Sequence, residues 1–371
     1  MKNRLSVIRF VAASAVCAAC ELSAPWRPAS AQGAGASRRP NVPPPPPFHF
    51  PPIHEHVLPN GVRLLVVEDH SIPLVSARVI LPDASTDPIG KEGLDSLMIG
   101  ALREGTSSKD ATQLAESFAD IGATIQPTRF TVTTDAAPAA MTLVADMLMH
   151  PSFDSAGIGR RRASQAATAR AMAGIPSFAA RHLFHAIVYG PDEDAVRALL
   201  VSDARVDALT RDDIVAHYRR FVGPKTTTIV LAGDLSDASA STLVTRVFGT
   251  WTSPAEEHGA STGVASPKPT TIYLYDAPAA TDAFFVVGNA AAPRTTPLFA
   301  AADVVGAVAS MRMQQLMRER RSLMYSGSSG MLWPAAPRPS ALVGSTRFPA
   351  AKADTALTTW LGLLRDLHSG Q

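Results

Sequence analysis

The sequence is short of cysteine: it has two in 371 residues, Cys17 and Cys20. Residues 1–31 have the layout of a secretory signal peptide, with basic residues first, then an apolar stretch, then an Ala-Ser-Ala site at 29–31. Cleavage after this site leaves a chain without cysteine, which excludes a disulfide framework and any thiolate metal site. We therefore expect an exported, periplasmic protein. A lipid anchor through Cys20 is the alternative, and the apolar stretch is too short to span a membrane stably.

Other absences exclude whole classes of function. The sequence contains neither a Gly-rich loop of the P-loop type nor a G-x-S-x-G motif, so nucleotide hydrolysis and serine-hydrolase chemistry have no support. Without residues 1–31 the chain has 30 Lys and Arg against 31 Asp and Glu, a net charge of about −1. That balance gives no reason to expect a nucleic acid partner.

Composition and patterning divide the rest of the chain into four segments. Residues 32–52 are rich in proline and predict an extended spacer. Residues 53–252 and 270–371 each alternate predicted strands and helices, and the polar stretch 253–269, which contains Gly, Ser and Pro, separates them. The two halves predict an α+β protein of two domains.

A helix-sized segment at 93–106 carries the first informative motif, with the sequence GLDSLMIGALREGT. It resembles the G-L-x-H-x-x-E-H-x-L-x-x-G-T segment of the pitrilysin/insulinase family of zinc metallopeptidases. Ser96, Ile99 and Gly100 stand at the positions of the first His, the Glu and the second His. An ordinary amphipathic helix that ends at Gly105 is the alternative interpretation.

The resemblance implies a zinc site whose chemistry is lost. In that family two histidines bind zinc, the intervening Glu is the base, and a third ligand, also Glu, follows roughly 70 to 80 residues later. Ser, Ile and Gly supply neither ligand nor base. The sequence has no Glu between Glu116 and Glu193, and the helix predicted at 160–172 offers arginines instead. We expect the chain alone to bind no metal or other cofactor and to have no catalytic residue.

Segments on both sides of this motif fit the same family. Residues 56–69 predict a hairpin with an Asn-Gly turn, similar to the family's opening L-x-N-G-L-x-V. Residues 206–218 predict a helix capped at Thr210, and a strand follows at 228–234. Further strands are predicted at 74–81, 123–126, 130–135, 271–275 and 283–288, and further helices at 111–122, 139–149, 177–188, 297–308 and 354–368. The resemblance implies two repeated metallopeptidase-like domains, each an antiparallel sheet packed with helices, of which the second is expected to be incomplete.

Residues 311–326, MRMQQLMRERRSLMYS, carry the second motif. They are similar to the S-R-L-x-x-x-L-R-E-x-x-G-L-A-Y-S segment of the family's second domain, with Ser322 in place of the Gly. The resemblance implies that Arg318 and Tyr325 bind the backbone of a substrate peptide, because an Arg fork and a Tyr hydroxyl can both donate to peptide carbonyls. The alternative is a solvent-exposed basic helix end, with Tyr325 at the start of a strand.

Together the two motifs predict a subunit that binds or positions a peptide for an active zinc-peptidase subunit of the same family, in a heterodimer. Two alternatives stay open: a structural scaffold subunit without peptide binding, and a zinc-dependent peptidase with displaced ligands. Two histidine pairs, His54 with His56 and His182 with His185, lack an obvious third ligand. We therefore assign no metal to either pair.

Overall fold

The computed structural model describes residues 43, 50–81, 87–124, 126, 128–173, 175–189, 201–255, 271–274, 281–291, 293–294, 297–332 and 340–369. The predicted signal peptide, nearly all of the spacer and most of the 253–269 segment lie outside these residues, so the predicted domain boundaries stay predictions. Residues from Pro51 onward form one compact unit. Within the described ranges, no helix combines the length and the apolar character that crossing a membrane requires.

The first sheet has five strands in the order β1-β2-β5-β3-β4. Their bounds are β1 His54–Val57, β2 Arg63–Glu68, β3 Leu74–Ile80, β4 Arg129–Thr133 and β5 Thr228–Gly233. The predicted Asn-Gly hairpin is confirmed, because β1 and β2 pair antiparallel. β2 and β5 run parallel, whereas β3 pairs antiparallel with both β4 and β5. The sheet is therefore mixed, which corrects the expectation of an antiparallel sheet. Parallel strands need a long crossover connection, and the connection between β2 and β5 contains most of this half.

Helices pack against this sheet and bury its apolar face. The helices of this half, not all of which contact the sheet, are α1 Leu94–Ala101, α2 Ala111–Asp120, α3 Ala137–Met149, α4 Ser155–Ala173, α5 Pro176–Tyr189, α6 Asp203–Ala208, α7 Arg211–Phe221 and α8 Asp237–Phe248. Alternate residues of β3 are buried, as expected of a strand with one face on a core. Leu64 of β2, Leu97 of α1 and Phe118 of α2 belong to the same buried cluster.

Three local predictions need correction. The helix predicted at 206–218 is two helices, α6 and α7, with a break at Leu209, whose carbonyl accepts a hydrogen bond from Nη1 of Arg162 at 2.9 Å. The predicted cap is confirmed, since Thr210 and Asp213 form a capping box at the start of α7. Residues 271–274 form no strand, and Tyr275 is not described. The described residues of 123–126 likewise lie outside any strand.

A second, three-stranded antiparallel sheet has the order β6-β8-β7, with β6 Asp282–Ala291, β7 Gly327–Leu332 and β8 Ser340–Pro349. α9 Phe299–Met313, a π-helical segment Gln314–Arg320 and α10 Ala353–Ser369 pack with it. Met313, Met317 and Trp360 form its core. α5 contacts β6, where the Phe184 ring lies close to Gly288, so one helix of the first half contacts the second sheet. The predicted α+β class is confirmed.

Candidate functional site

α1 holds its position through packing and through a buried carboxylate at its start. Leu94, Leu97 and Met98 are buried. Asp87 is also buried and accepts hydrogen bonds from the backbone N–H groups of Gly93 and Asp95, each at 2.7 Å. Burial raises the pKa of Asp87, partly offset by these hydrogen bonds. The carboxylate therefore takes the capping role that Gly93 itself cannot supply.

The three positions that carry the chemistry in the resembled motif lie on the outer side of this helix. Ser96 is exposed, and Ile99 and Gly100 are half-buried. None of them offers an imidazole or a carboxylate, so α1 supplies no zinc ligand and no base here. The predicted helix at 160–172 does face them, as part of α4.

α4 presents an amide and guanidinium groups to α1. Gln165 donates from Nε2 to the carbonyl of Gly93 at 2.9 Å. The side chain of Arg161 lies over Gly100, and a Cβ built at Gly100 would be 3.7 Å from its Cδ. A carboxylate that could serve as a third zinc ligand is absent from the described part of this helix, so the structure agrees with the sequence about which residues face the lost motif.

Glu104, one turn beyond Gly100, receives the guanidinium groups instead. Its side chain is only 6% exposed, and it pairs with Arg160 at 2.7 Å and with Nε of Arg161. A Cβ at Gly157 would lie 2.6 Å from Cβ of Glu104, so α4 can approach this carboxylate only because residue 157 has no side chain. One signal of this arrangement is present in the sequence, a run of three arginines in a stretch without Glu, but the pairing joins residues more than 50 positions apart.

The second motif forms an exposed pair, with Arg318 on the π-helical segment and Tyr325 in the turn that follows it. The guanidinium carbon of Arg318 lies 5.3 Å from the centroid of the Tyr325 ring, which is cation–π distance. Tyr325 is 83% exposed and Arg318 is exposed. Arg318 donates no hydrogen bond to any residue that the structure describes. The structure therefore brings together the two residues that the sequence singled out.

The backbone around this pair is unusual. The π-helical turn ends where the N–H of Leu323 bonds the carbonyl of Met317 at 2.7 Å. Ser322, at the position of the motif's Gly, adopts φ 47°, a left-handed conformation that favours Gly. β7 begins at Gly327, two residues after Tyr325. Arg318, Arg320 and Arg321 are exposed, so the alternative of a solvent-exposed basic helix end stays open. Isolated π-helical turns are frequent at functional sites.

A cavity of about 310 Å³ lies beside this segment, between it and α10. Leu316, Arg321 and Asp366 are among its lining residues, whereas Arg318 and Tyr325 are not. Arg321 donates from Nη1 to Thr359 at 2.9 Å, which fixes its side chain against α10. Of the three arginines at the end of this motif, Arg318 is the one that stacks on an aromatic ring.

The histidine pairs contact a carboxylate or aromatic rings. His56 bonds Asp237 at 2.6 Å, and His182 and His185 lie among aromatic rings of α5. Across the ranges that the structure describes, no three His, Cys, Asp or Glu side chains are grouped to hold a metal ion.

Comparison with known proteins places these features in a family. A family model described as the peptidase M16 inactive domain matches residues 208–336. The zinc protease YmxG of Bacillus subtilis is 24% identical over 289 residues, which cover 74% of this chain and 69% of that protein. The chain is therefore similar to the pitrilysin-like peptidases, and the part that matches the family model resembles the inactive domain of that family.

Solved structures show the same fold. An M16 inactive domain from Pseudomonas fluorescens matches with a TM-score of 0.72 at 18% identity, over 85% of this chain and 78% of that chain. A protease from Helicobacter pylori matches with a TM-score of 0.75 at 16% identity, over 86% and 81%. At these identities the likeness establishes the fold alone. The retained M16-like fold and the lost zinc motif make the chain a peptidase-like protein without the family's catalytic residues.

Proposed function

We propose that this chain binds a peptide through Arg318 and Tyr325 and positions it for an active zinc-peptidase subunit of the same family, in a heterodimer. The observation that carries the proposal is the exposed stack of Arg318 on Tyr325. A guanidinium group over a ring can still use its N–H groups as donors, so Arg318 can donate to peptide carbonyls. The Tyr325 hydroxyl adds a further polar contact.

Neither residue has a packing role that would explain its presence. Met313, Met317 and Trp360 fill the core beneath this segment. An exposed Arg and a Tyr that is 83% exposed contribute little to that core. Exposed residues held in a defined geometry are what a binding site needs, since little ordering remains to be done when the ligand arrives.

The proposal assigns catalysis to another chain. α1 offers Ser96, Ile99 and Gly100 where a zinc ligand, a base and a second ligand would be needed, so any zinc must come with a partner. We further propose that the subunit is exported to the periplasm after cleavage at the Ala-Ser-Ala site of 29–31, which lies outside the described residues.

The test is peptide cleavage by a complex of this chain with the product of a neighbouring family gene that has an intact H-x-x-E-H motif. Arg318→Ala should reduce substrate use about ten- to a hundredfold, because each charge-assisted hydrogen bond contributes roughly 1.5 to 3 kcal/mol. Tyr325→Phe, which keeps the ring but loses the hydroxyl, should have a smaller effect. Arg320→Ala is the matched control, since Arg320 is exposed on the same segment and does not stack on Tyr325.

Two results would contradict the proposal. Unchanged cleavage by both variants, in a complex that still assembles, would leave a structural scaffold as the function. Absence of any complex with a zinc-containing family member would remove the heterodimer.

A further inference from the structure

The place where the zinc helix would face its ligand helix holds an excess of positive charge. The guanidinium groups of Arg160 and Arg161 pair with the carboxylate of Glu104, and Arg103 adds a third positive charge nearby. We call these four residues the arginine cluster. Glu104 is nearly inaccessible, whereas the side chains of Arg160 and Arg161 are 62% and 36% exposed. The cluster therefore binds its own carboxylate on the inner side and offers guanidinium groups to solvent on the outer side.

Arg103 is the member without a partner. Its Nε is buried and has no hydrogen-bond acceptor among the described residues. Burial and the neighbouring charge of Arg161 lower its pKa, against the weaker opposite effect of Glu104. A buried donor without an acceptor and two guanidinium groups close together are both unfavourable. An added anion would satisfy the donor and balance the charge.

The geometry of Arg guanidinium groups selects the anion. Their planar forks match the two oxygens of a carboxylate, and pairs of this kind are stronger than neutral hydrogen bonds. Arg161 lies over Gly100, the position of the second histidine of the resembled motif, so the cluster stands where that motif would engage a peptide.

We propose that the arginine cluster binds a carboxylate of the bound peptide, supplied either by an acidic side chain or by the peptide's C-terminus. The carboxylate chemistry follows from the cluster itself, and the peptide as its source rests on the proposed function. The substrate class is then an acidic peptide, or one that ends close to this site.

The experiment measures the affinity of the purified full chain for three short peptides by calorimetry. The first is blocked at both ends and contains one Glu; the second replaces that Glu by Gln; the third is the Gln peptide with a free C-terminal carboxylate. We expect the Glu peptide, the free-carboxylate peptide or both to bind about tenfold more tightly than the blocked Gln peptide, and higher salt to reduce the difference. The peptide that binds more tightly than the blocked Gln peptide identifies the source of the carboxylate.

Variants test whether the cluster causes the discrimination. Arg103→Met and Arg160→Gln should each lower the affinity for the favoured peptide towards the affinity for the blocked Gln peptide. Arg160 is mostly exposed, so its variant tests the proposal even if Arg103→Met fails to fold. Arg170→Met is the matched control, because Arg170 lies on the same helix and pairs with Asp203 at 2.9 Å. Its discrimination should equal that of the wild type.

The outcomes separate this inference from the proposed function. Arg318→Ala should weaken all three peptides by the same factor, and an unchanged affinity there would contradict the clamp while leaving the cluster intact. Equal affinities of wild type for all three peptides would overturn the carboxylate site, as would discrimination that survives both cluster variants. The absence of saturable binding by any of the peptides would overturn it too.

Discussion

α1 and the π-helical segment are the two places where this chain resembles a peptidase most specifically, and they differ in what remains. In α1 the buried positions keep their apolar side chains, while the three positions that would do chemistry hold Ser96, Ile99 and Gly100. In the π-helical segment the two residues implied to touch substrate, Arg318 and Tyr325, are present, exposed and stacked on each other.

Packing and chemistry are therefore separable within one motif. A helix keeps its place when its buried face is kept, whatever stands on the outer face. An exposed Arg–Tyr stack contributes little to the stability of the fold, so a role in binding explains its presence better. α1 then has a structural role, with the arginine cluster beside it. The segment that contains Arg318 and Tyr325 is the better candidate for a binding site.

The largest effect should come from the buried face of α1. Leu97 is fully buried, so Leu97→Ala should lower the free energy of unfolding by roughly 2 to 5 kcal/mol, measured by urea denaturation. Ser96→Ala is the control on the exposed side of the same helix and should change it by less than about 0.5 kcal/mol. A large decrease in the free energy of unfolding for Ser96→Ala would mean that the outer face of α1 makes stabilising contacts.

Gly157 tests how closely α4 must approach the lost site. Gly157→Ala should cost roughly 1 to 3 kcal/mol, because its Cβ would lie 2.6 Å from Cβ of Glu104. Gly159→Ala, two residues along, meets no atom within 4 Å and should be neutral or stabilise the helix by up to about 1 kcal/mol. Equal effects of the two substitutions in chemical denaturation would show that Glu104 does not hold α4 against α1.

Ser322 offers the matching test in the second region. Its φ of 47° favours Gly, so Ser322→Gly should raise the free energy of unfolding by roughly 0.5 to 1 kcal/mol. Ser326→Gly, at a position without positive φ, should be neutral or slightly destabilising. If the Ser322 variant also loses peptide affinity, the strained turn helps to set the Arg318–Tyr325 stack; unchanged affinity would limit its role to stability.

The smallest effect concerns α5, which contacts β6 of the second sheet. Burial lowers the pKa of both His182 and His185 from the usual 6.5, and for His185 the nearby charges of His182 and Arg181 lower the pKa further. Below pH 6.5 the unfolded chain therefore binds protons that the folded chain does not. The free energy of unfolding should decrease as the pH is lowered from 6.5, until the lowered pKa values of the folded state are reached.

A variant with both His182→Gln and His185→Gln isolates this pH dependence. Unfolding measured between pH 8 and pH 5 should show a shallower loss of stability on acidification than the wild type shows. Parallel curves for the two proteins would mean that these histidines do not lower stability in acid.

Local patterns predicted the local structure well. The Asn-Gly turn, the capping box at Thr210 and the apolar face of α1 each rest on residues a few positions apart, and the structure confirms all three. The family motif singled out Arg318 and Tyr325, and the structure places them next to each other; their binding of a substrate peptide stays a prediction.

Long-range contacts could not be predicted from the sequence, for a physical reason. The parallel pairing of β2 with β5 joins residues about 165 positions apart, and no local periodicity encodes a partner at that separation. The same holds for Glu104 with Arg160 and Arg161, where each charge alone suits a solvated surface. The break at Leu209 depends on a hydrogen bond from Arg162, on a different helix.

We expect this chain to keep a peptidase-like fold without zinc chemistry, and the sharpest test is its zinc content measured together with peptide cleavage. The purified chain should contain far less than one zinc per molecule and cleave no peptide, with or without chelator. The variant that combines Ser96→His, Ile99→Glu and Gly100→His should stay inactive, because α4 supplies arginines rather than a third ligand. One tightly bound zinc per wild-type chain with chelator-sensitive cleavage, or hydrolysis by the triple variant alone, would contradict the claim.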